Sequence, residues 1–77
     1  MKVLVFGSSS EARTLANAVE GQYVSRLSAR LDDLRLVAQY GVVEPVCIVV
    51  LRGTKTHARI PRLVEPSELL ALLAHLR

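Results

Sequence analysis

Cysteine is almost absent from this 77-residue chain, where only Cys47 occurs. A disulfide framework needs at least two thiols, and so does any metal site built on paired thiolates. With His57 and His75 as the only histidines, a structural zinc site is disfavoured too. Aromatic residues make up 4% of the chain with no Trp, which leaves little for stacking bases and sets nucleic acid aside as a partner. Apolar runs such as residues 3–6 and 46–51 are far too short to cross a bilayer, so no membrane association is expected. No charged start leads into a long apolar stretch and a small-residue cleavage site, so no secretory signal is read. No linker, repeat or low-complexity segment interrupts the chain. These absences leave a small domain with a cytoplasmic location as the expectation.

What the chain does have is aliphatic bulk. Hydrophobic residues make up 51% of it, with thirteen Leu and eleven Val. A domain this short buries only about 60% of the surface that it exposes when unfolded, so dense apolar content is what it needs. Residues 1–77 are read as one domain. The net charge of +3 is ordinary, but eight of the ten basic residues are Arg, which suits planar, bidentate contacts.

The pattern of residues predicts an alternation of strands and helices. Residues 2–6 are apolar on both faces and predict a central strand, ended by Gly7. Ser8 with Glu11 three residues on has the spacing of a capping box. Ala12, Leu15, Ala16 and Val19 then stripe an amphipathic helix that Gly21 closes. Residues 23–31 alternate, with Tyr23, Leu27, Ala29 and Leu31 on one face and Arg26, Ser28 and Arg30 on the other, as at a sheet edge. Asp32 or Asp33 caps a short helix that buries Leu34, Val37 and Ala38 and stops at Gly41. Pro45 introduces a second apolar strand over residues 46–51, and residues 52–55 form a hairpin turn. Residues 56–60 alternate again, with Lys55, His57 and Arg59 on one side, and Pro61 marks this strand as an edge. A last helix opens at Glu65 and Pro66, striped by Leu69, Leu72, Leu73 and Leu76. The expected order is β-α-β-α-β-β-α: a four-stranded mixed sheet, the first and third strands central, with helices on both faces.

Three stretches carry a family resemblance. Residues 33–45 (DLRLVAQYGVVEP) resemble the helix, Tyr-Gly-Val turn and Pro-led strand of small thioredoxin-like proteins. Arg59-Ile60-Pro61 followed by residues 65–73 is similar to that family's last strand and closing helix, and residues 3–8 to its first strand and active-site loop. The resemblance implies a minimal, glutaredoxin-sized thioredoxin-like α/β fold. It also implies a redox Cys-x-x-Cys at the start of the first helix, where the helix dipole lowers a thiol pKa. Here Ser10 and Arg13 stand at those two positions, and a hydroxyl cannot serve as a redox thiol. Dithiol oxidoreductase activity is therefore not expected. What the resemblance leaves is a binding face formed by Ser8, Ser9, Ser10, Arg13, Glu44 and Pro45. There, a cis-proline at Pro45 would let a peptide segment or a small thiol compound such as glutathione pair with the backbone.

Competing readings accompany this one. The serine run is either a plain helix cap or an anion site. Cys47 is either a small buried hydrophobe or a lone thiol, and an enzyme could use Ser10 to polarise glutathione or Cys47 as a monothiol. Arg52, Lys55, His57, Arg59 and Arg62 form a basic hairpin that meets an acidic partner or merely protects a sheet edge. His57, His75 and the Arg26–Arg30 pair read as solvated surface, and Tyr40 as packing at a helix end. Residues 3–16 (VLVFGSSSEARTLA) also resemble the opening of precorrin reductases, which bind a nicotinamide dinucleotide. Gly7 is the lone glycine in that loop, however, so the nucleotide-binding fingerprint is thin.

Overall fold

The computed structural model describes residues 2–27 and 30–76. It is an α/β structure with strands β1 (Lys2–Gly7), β2 (Gln22–Ser25), β3 (Cys47–Arg52) and β4 (Lys55–Ile60), and helices α1 (Ser10–Ala18), α2 (Leu31–Gln39) and α3 (Pro66–Leu76). The sheet runs β2-β1-β3-β4. Strand β1 is parallel to β2 and antiparallel to β3, and β3 is antiparallel to β4, so the sheet is mixed. The two apolar strands, β1 and β3, are central because each needs cover on both faces.

Alternation along those strands divides the core in two. Val3, Val5, Ile48 and Val50 face one way, against Ala12, Leu15, Ala16, Val19, Leu69 and Leu73 of the α1 and α3 layer. Leu4, Phe6, Val24, Cys47, Val49 and Leu51 face the other way, where Leu36, Val37 and Tyr40 bring α2 over the sheet. Phe6 meets Tyr40 edge to face at 6.3 Å, a favoured geometry for such rings. None of the described helices is long and apolar enough to cross a membrane.

Several local expectations need correction. The helix cap is Ser9, whose Oγ accepts the Ala12 N–H at 3.2 Å, so the Ser8–Glu11 capping box does not form. At the far end of α1, the Gly21 N–H bonds to Ala16 O and the Glu20 N–H to Asn17 O. That is a Schellman motif whose left-handed residue is Glu20, at φ 55°, and not the glycine after it.

Strand β2 has four residues and not the expected nine. The Arg26 N–H makes a last bond to Gly7 O, and the Leu27 N–H then turns onto the Ser25 hydroxyl at 3.3 Å. This side-chain turn competes with the ladder, and Leu27 is left 82% exposed. Ser28 and Ala29 of the expected strand lie outside the described residues. Leu31 begins α2. The N-cap there is Arg30, with no side-chain bond, while Asp32 and Asp33 sit in the first turn, where negative charge suits the helix dipole. Leu34 and Ala38, expected to be buried, face outward. The helix does end as expected, with Gly41 in the left-handed region at φ 59° and Val42 folded back on Val37.

Strand β4 carries a bulge. Val50 pairs with Ala58 and Leu51 with Thr56, so His57 is the extra residue. The bulge shifts the alternation and puts Thr56 on the same face as Arg59. The Glu44–Pro45 bond is trans, since no cis peptide occurs among the described residues. Nothing in this loop demands the minor isomer, and trans is the ordinary preference even before proline.

Candidate functional site

The carboxyl ends of the parallel strands β1 and β2 meet the start of α1. Gly7 ends β1 with its carbonyl doubly used: it accepts the Tyr23 hydroxyl at 3.1 Å and the Arg26 N–H at 2.8 Å. These bonds fix the turn into residues 8–10. Ser8, Ser9 and Ser10 are all exposed. Ser9 spends its hydroxyl as the cap, while Ser10 opens the helix with no hydroxyl partner among the described residues. The first-turn amides of a helix have no carbonyl partner within it, and the dipole there favours negative charge.

Arg13, one turn further, lies with its guanidinium 5.2 Å from the centre of the Tyr23 ring. Such stacking holds the cation in place while its N–H edges stay available. Beside it a hollow of about 380 Å³ is lined by Arg13, Tyr23, Ser25, Leu27, Arg30 and Asp33. Arg13 and the Ser25 hydroxyl are the groups in this hollow suited to an anionic ligand, since the Tyr23 hydroxyl is already given to Gly7 O; Asp33 adds an acceptor to the wall. In open α/β sheets, ligands generally bind outside the carboxyl ends of the parallel strands.

The other half of the expected face is engaged elsewhere. Arg59 of β4 reaches across the sheet end and donates to Tyr40 O at 2.8 Å, to Gly41 O at 3.1 Å, and to both Glu44 carboxylate oxygens at 2.9 and 3.0 Å. This hydrogen bonding, helped by the residue's own backbone N–H, holds the Glu44 carboxyl below its ordinary pKa. Glu44 is therefore part of a clamp on the loop before β3. No hydrogen bond or ion pair among the described residues joins Glu44 or Pro45 to Ser8, Ser9, Ser10 or Arg13. The two loops are still neighbours, since a Cβ on Gly7 would stand 3.6 Å from the Val46 side chain.

Cys47 is fully buried on the α2 face of the sheet. Burial pushes its thiol up from the ordinary value; the nearby Arg59 charge opposes this and the Glu44 charge adds to it. A buried, protonated thiol is a poor nucleophile. Of the expected basic hairpin, Arg52, Lys55, His57 and Arg62 are exposed. Arg59 is exposed as well, but its guanidinium is engaged by Tyr40 O, Gly41 O and the Glu44 carboxylate. The described residues contain no group of three or more His, Cys, Asp or Glu able to hold a metal ion.

The dinucleotide reading of the first loop meets a packing explanation for its glycine. A Cβ at Gly7 would lie 2.7 Å from the Ala12 Cβ, so this glycine is required for α1 to sit against β1. No family model, curated protein or solved structure matches the chain.

Tyr23, Ser25, Arg30 and Asp33 were not expected at the site. Alternation places Tyr23 on the core face of an over-long strand, and spacing offers Asp33 as a helix cap. The available signal was the parallel β1–β2 pair itself, whose carboxyl ends mark the crevice. Arg26, expected as solvated surface, instead donates to Val42 O at 2.9 Å and ties the β2 turn to the end of α2.

Proposed function

We propose that the chain is a thioredoxin-like binding module without dithiol chemistry. It takes the carboxylate end of a peptide segment, or a small thiol compound of the glutathione class, at the carboxyl ends of β1 and β2. The observation that carries this reading is the hollow beside the start of α1, with Arg13 stacked on Tyr23 at its wall. A planar guanidinium held on a ring can grip a carboxylate through two parallel N–H bonds. The sheet order, with α1 and α3 on one face and α2 on the other, is compatible with the thioredoxin-like family that the sequence resembles. Ser10 and Arg13 stand where that family carries its cysteines.

The trans Pro45 and the Arg59-bound Glu44 move the ligand away from the proline loop and toward Arg13. The competing readings are a glutathione transferase using Ser10 and a monothiol protein using Cys47. Ser10 has no basic partner among the described residues, and the Cys47 thiol is buried with its pKa pushed up. The test pairs binding with turnover. Calorimetry with glutathione should give a saturable isotherm that Arg13→Ala weakens by roughly tenfold, the value of one charged hydrogen bond. Insulin reduction and glutathione transfer should stay at background. Turnover in either assay, or an isotherm unchanged by Arg13→Ala, would defeat the proposal.

A further inference from the structure

Helix α2 has apolar residues on both of its sides, and the sheet uses only one. Leu36 and Val37 pack on the sheet, yet none of the helix is fully buried. Leu31 is 63% exposed and Leu34 50%, with Ala38 exposed beside them. At 100° per residue, Leu34, Ala38 and Leu31 fall within an arc of about 60° pointing away from the sheet. Arg35, Gln39 and Asp32 follow on one flank of that stripe. Neither Asp32 nor Arg35 has an ion-pair partner among the described residues.

We infer that this outer face of α2 is an interface for a second copy of the chain, docked antiparallel across a two-fold axis near Leu34. The charge pattern selects the partner and its direction. When two identical helices pack antiparallel, equivalent flanks face each other, as in an antiparallel coiled coil. Asp32 of one copy then meets Arg35 of the other, and the two-fold axis repeats the pair. Parallel packing would set that flank against the opposite, uncharged one and gain neither pair. The Leu31, Leu34 and Ala38 stripes supply the apolar centre and the charge pairs fix register, the usual division of labour at interfaces. A two-fold interface is self-complementary by construction, so association stops at the dimer.

The nine-residue helix is about 13 Å long, so each copy buries well under the roughly 800 Å² of a standard interface. The dimer is accordingly weak, at the micromolar-to-millimolar end of affinities. Sedimentation equilibrium of the full chain from about 20 µM to 1 mM tests this range. Monomer–dimer exchange is expected, and Leu34→Asp should weaken it more than tenfold, a buried charge being the strongest disruption available. Asp32→Arg and Arg35→Asp should each weaken it several-fold, and combining them should restore it to within about threefold of the parent, since the pairs re-form with their signs exchanged. The exchange leaves the apolar stripe in place and gives up within the fold only the favourable placement of Asp32 at the helix start, so it reads the interface even where Leu34→Asp unfolds the chain. A monomer at 1 mM, or a double exchange no stronger than either single change, would overturn the inference.

Discussion

Replacing Glu20 by glycine should stabilise the protein, while replacing the adjacent Gly21 by alanine should destabilise it. Glu20 holds a left-handed φ of 55° so that α1 can close its last turn. A residue with a Cβ pays about 1–2 kcal/mol for that conformation. Glycine removes this cost but adds about 0.4–1 kcal/mol of unfolded-state entropy to be lost. The difference is a gain of roughly 0.5–1 kcal/mol for Glu20→Gly, which for a domain of this size raises Tm by about 3–6 °C. The exposed Glu20 side chain makes no hydrogen bond or ion pair among the described residues whose loss would offset it. At Gly21 the constraint is space. A Cβ there would stand 2.9 Å from the Val3 carbonyl oxygen and 3.3 Å from the Val3 Cβ, so α1 and β1 would have to separate. Overpacking against a backbone atom typically costs about 1–3 kcal/mol. Thermal unfolding by circular dichroism reads both changes. A Glu20→Gly variant no more stable than the parent, or a neutral Gly21→Ala, would refute this account of the turn.

Ser9→Ala should cost about 1 kcal/mol in thermal or urea unfolding and Ser8→Ala markedly less, because the Ala12 N–H is capped by Ser9 alone. Because the folded pKa of Glu44 is depressed, its stabilising contribution is present above its unfolded pKa and is lost as pH falls through the folded one. The Tm gap between the parent and Glu44→Gln should therefore shrink on acidification through the carboxylate range, and a gap independent of pH would contradict the Arg59 clamp. Cys47 should not react with a thiol reagent in the native protein and should react fully in denaturant. Cys47→Ser should destabilise by about 1–3 kcal/mol, since a hydroxyl takes the place of a thiol in apolar surroundings.

The parts of the fold legible in the sequence are those written in long patterns. Two strands apolar on both faces had to lie in the middle of a sheet, and β1 and β3 do. The leucine stripe of α3 and the Gly41 stop of α2 also follow from spacing and from φ. What escaped depends on short-range competition. The Ser25 hydroxyl captures the Leu27 N–H and ends β2 early, although the alternation of side chains continues to Leu31. The bulge at His57 shifts the face of the residues before it, which alternation alone cannot reveal. At the site, Arg13 was legible only through the family resemblance, and Ser10 lines a neighbouring cavity with Thr14, Leu63 and Pro66, not this hollow. Tyr23, Ser25, Arg30 and Asp33 were not legible, because the end of β2 and the start of α2 meet there only in the fold. Arg59 read as surface charge because its partners, Tyr40, Gly41 and Glu44, lie 15–19 residues away in the chain.

The central claim, an anion-binding hollow at the carboxyl ends of β1 and β2, is tested most directly by amide chemical-shift mapping. Glutathione and, separately, inorganic phosphate would be titrated into the labelled protein to about 10 mM, the weak end of specific binding. The account predicts saturable shifts with glutathione confined to residues 8–13, 22–27 and 30–33, and smaller ones with phosphate at residues 8–13. Shifts centred on Glu44 and Pro45, or on the hairpin around Arg52 and Lys55, or no saturable shift at all, would contradict it.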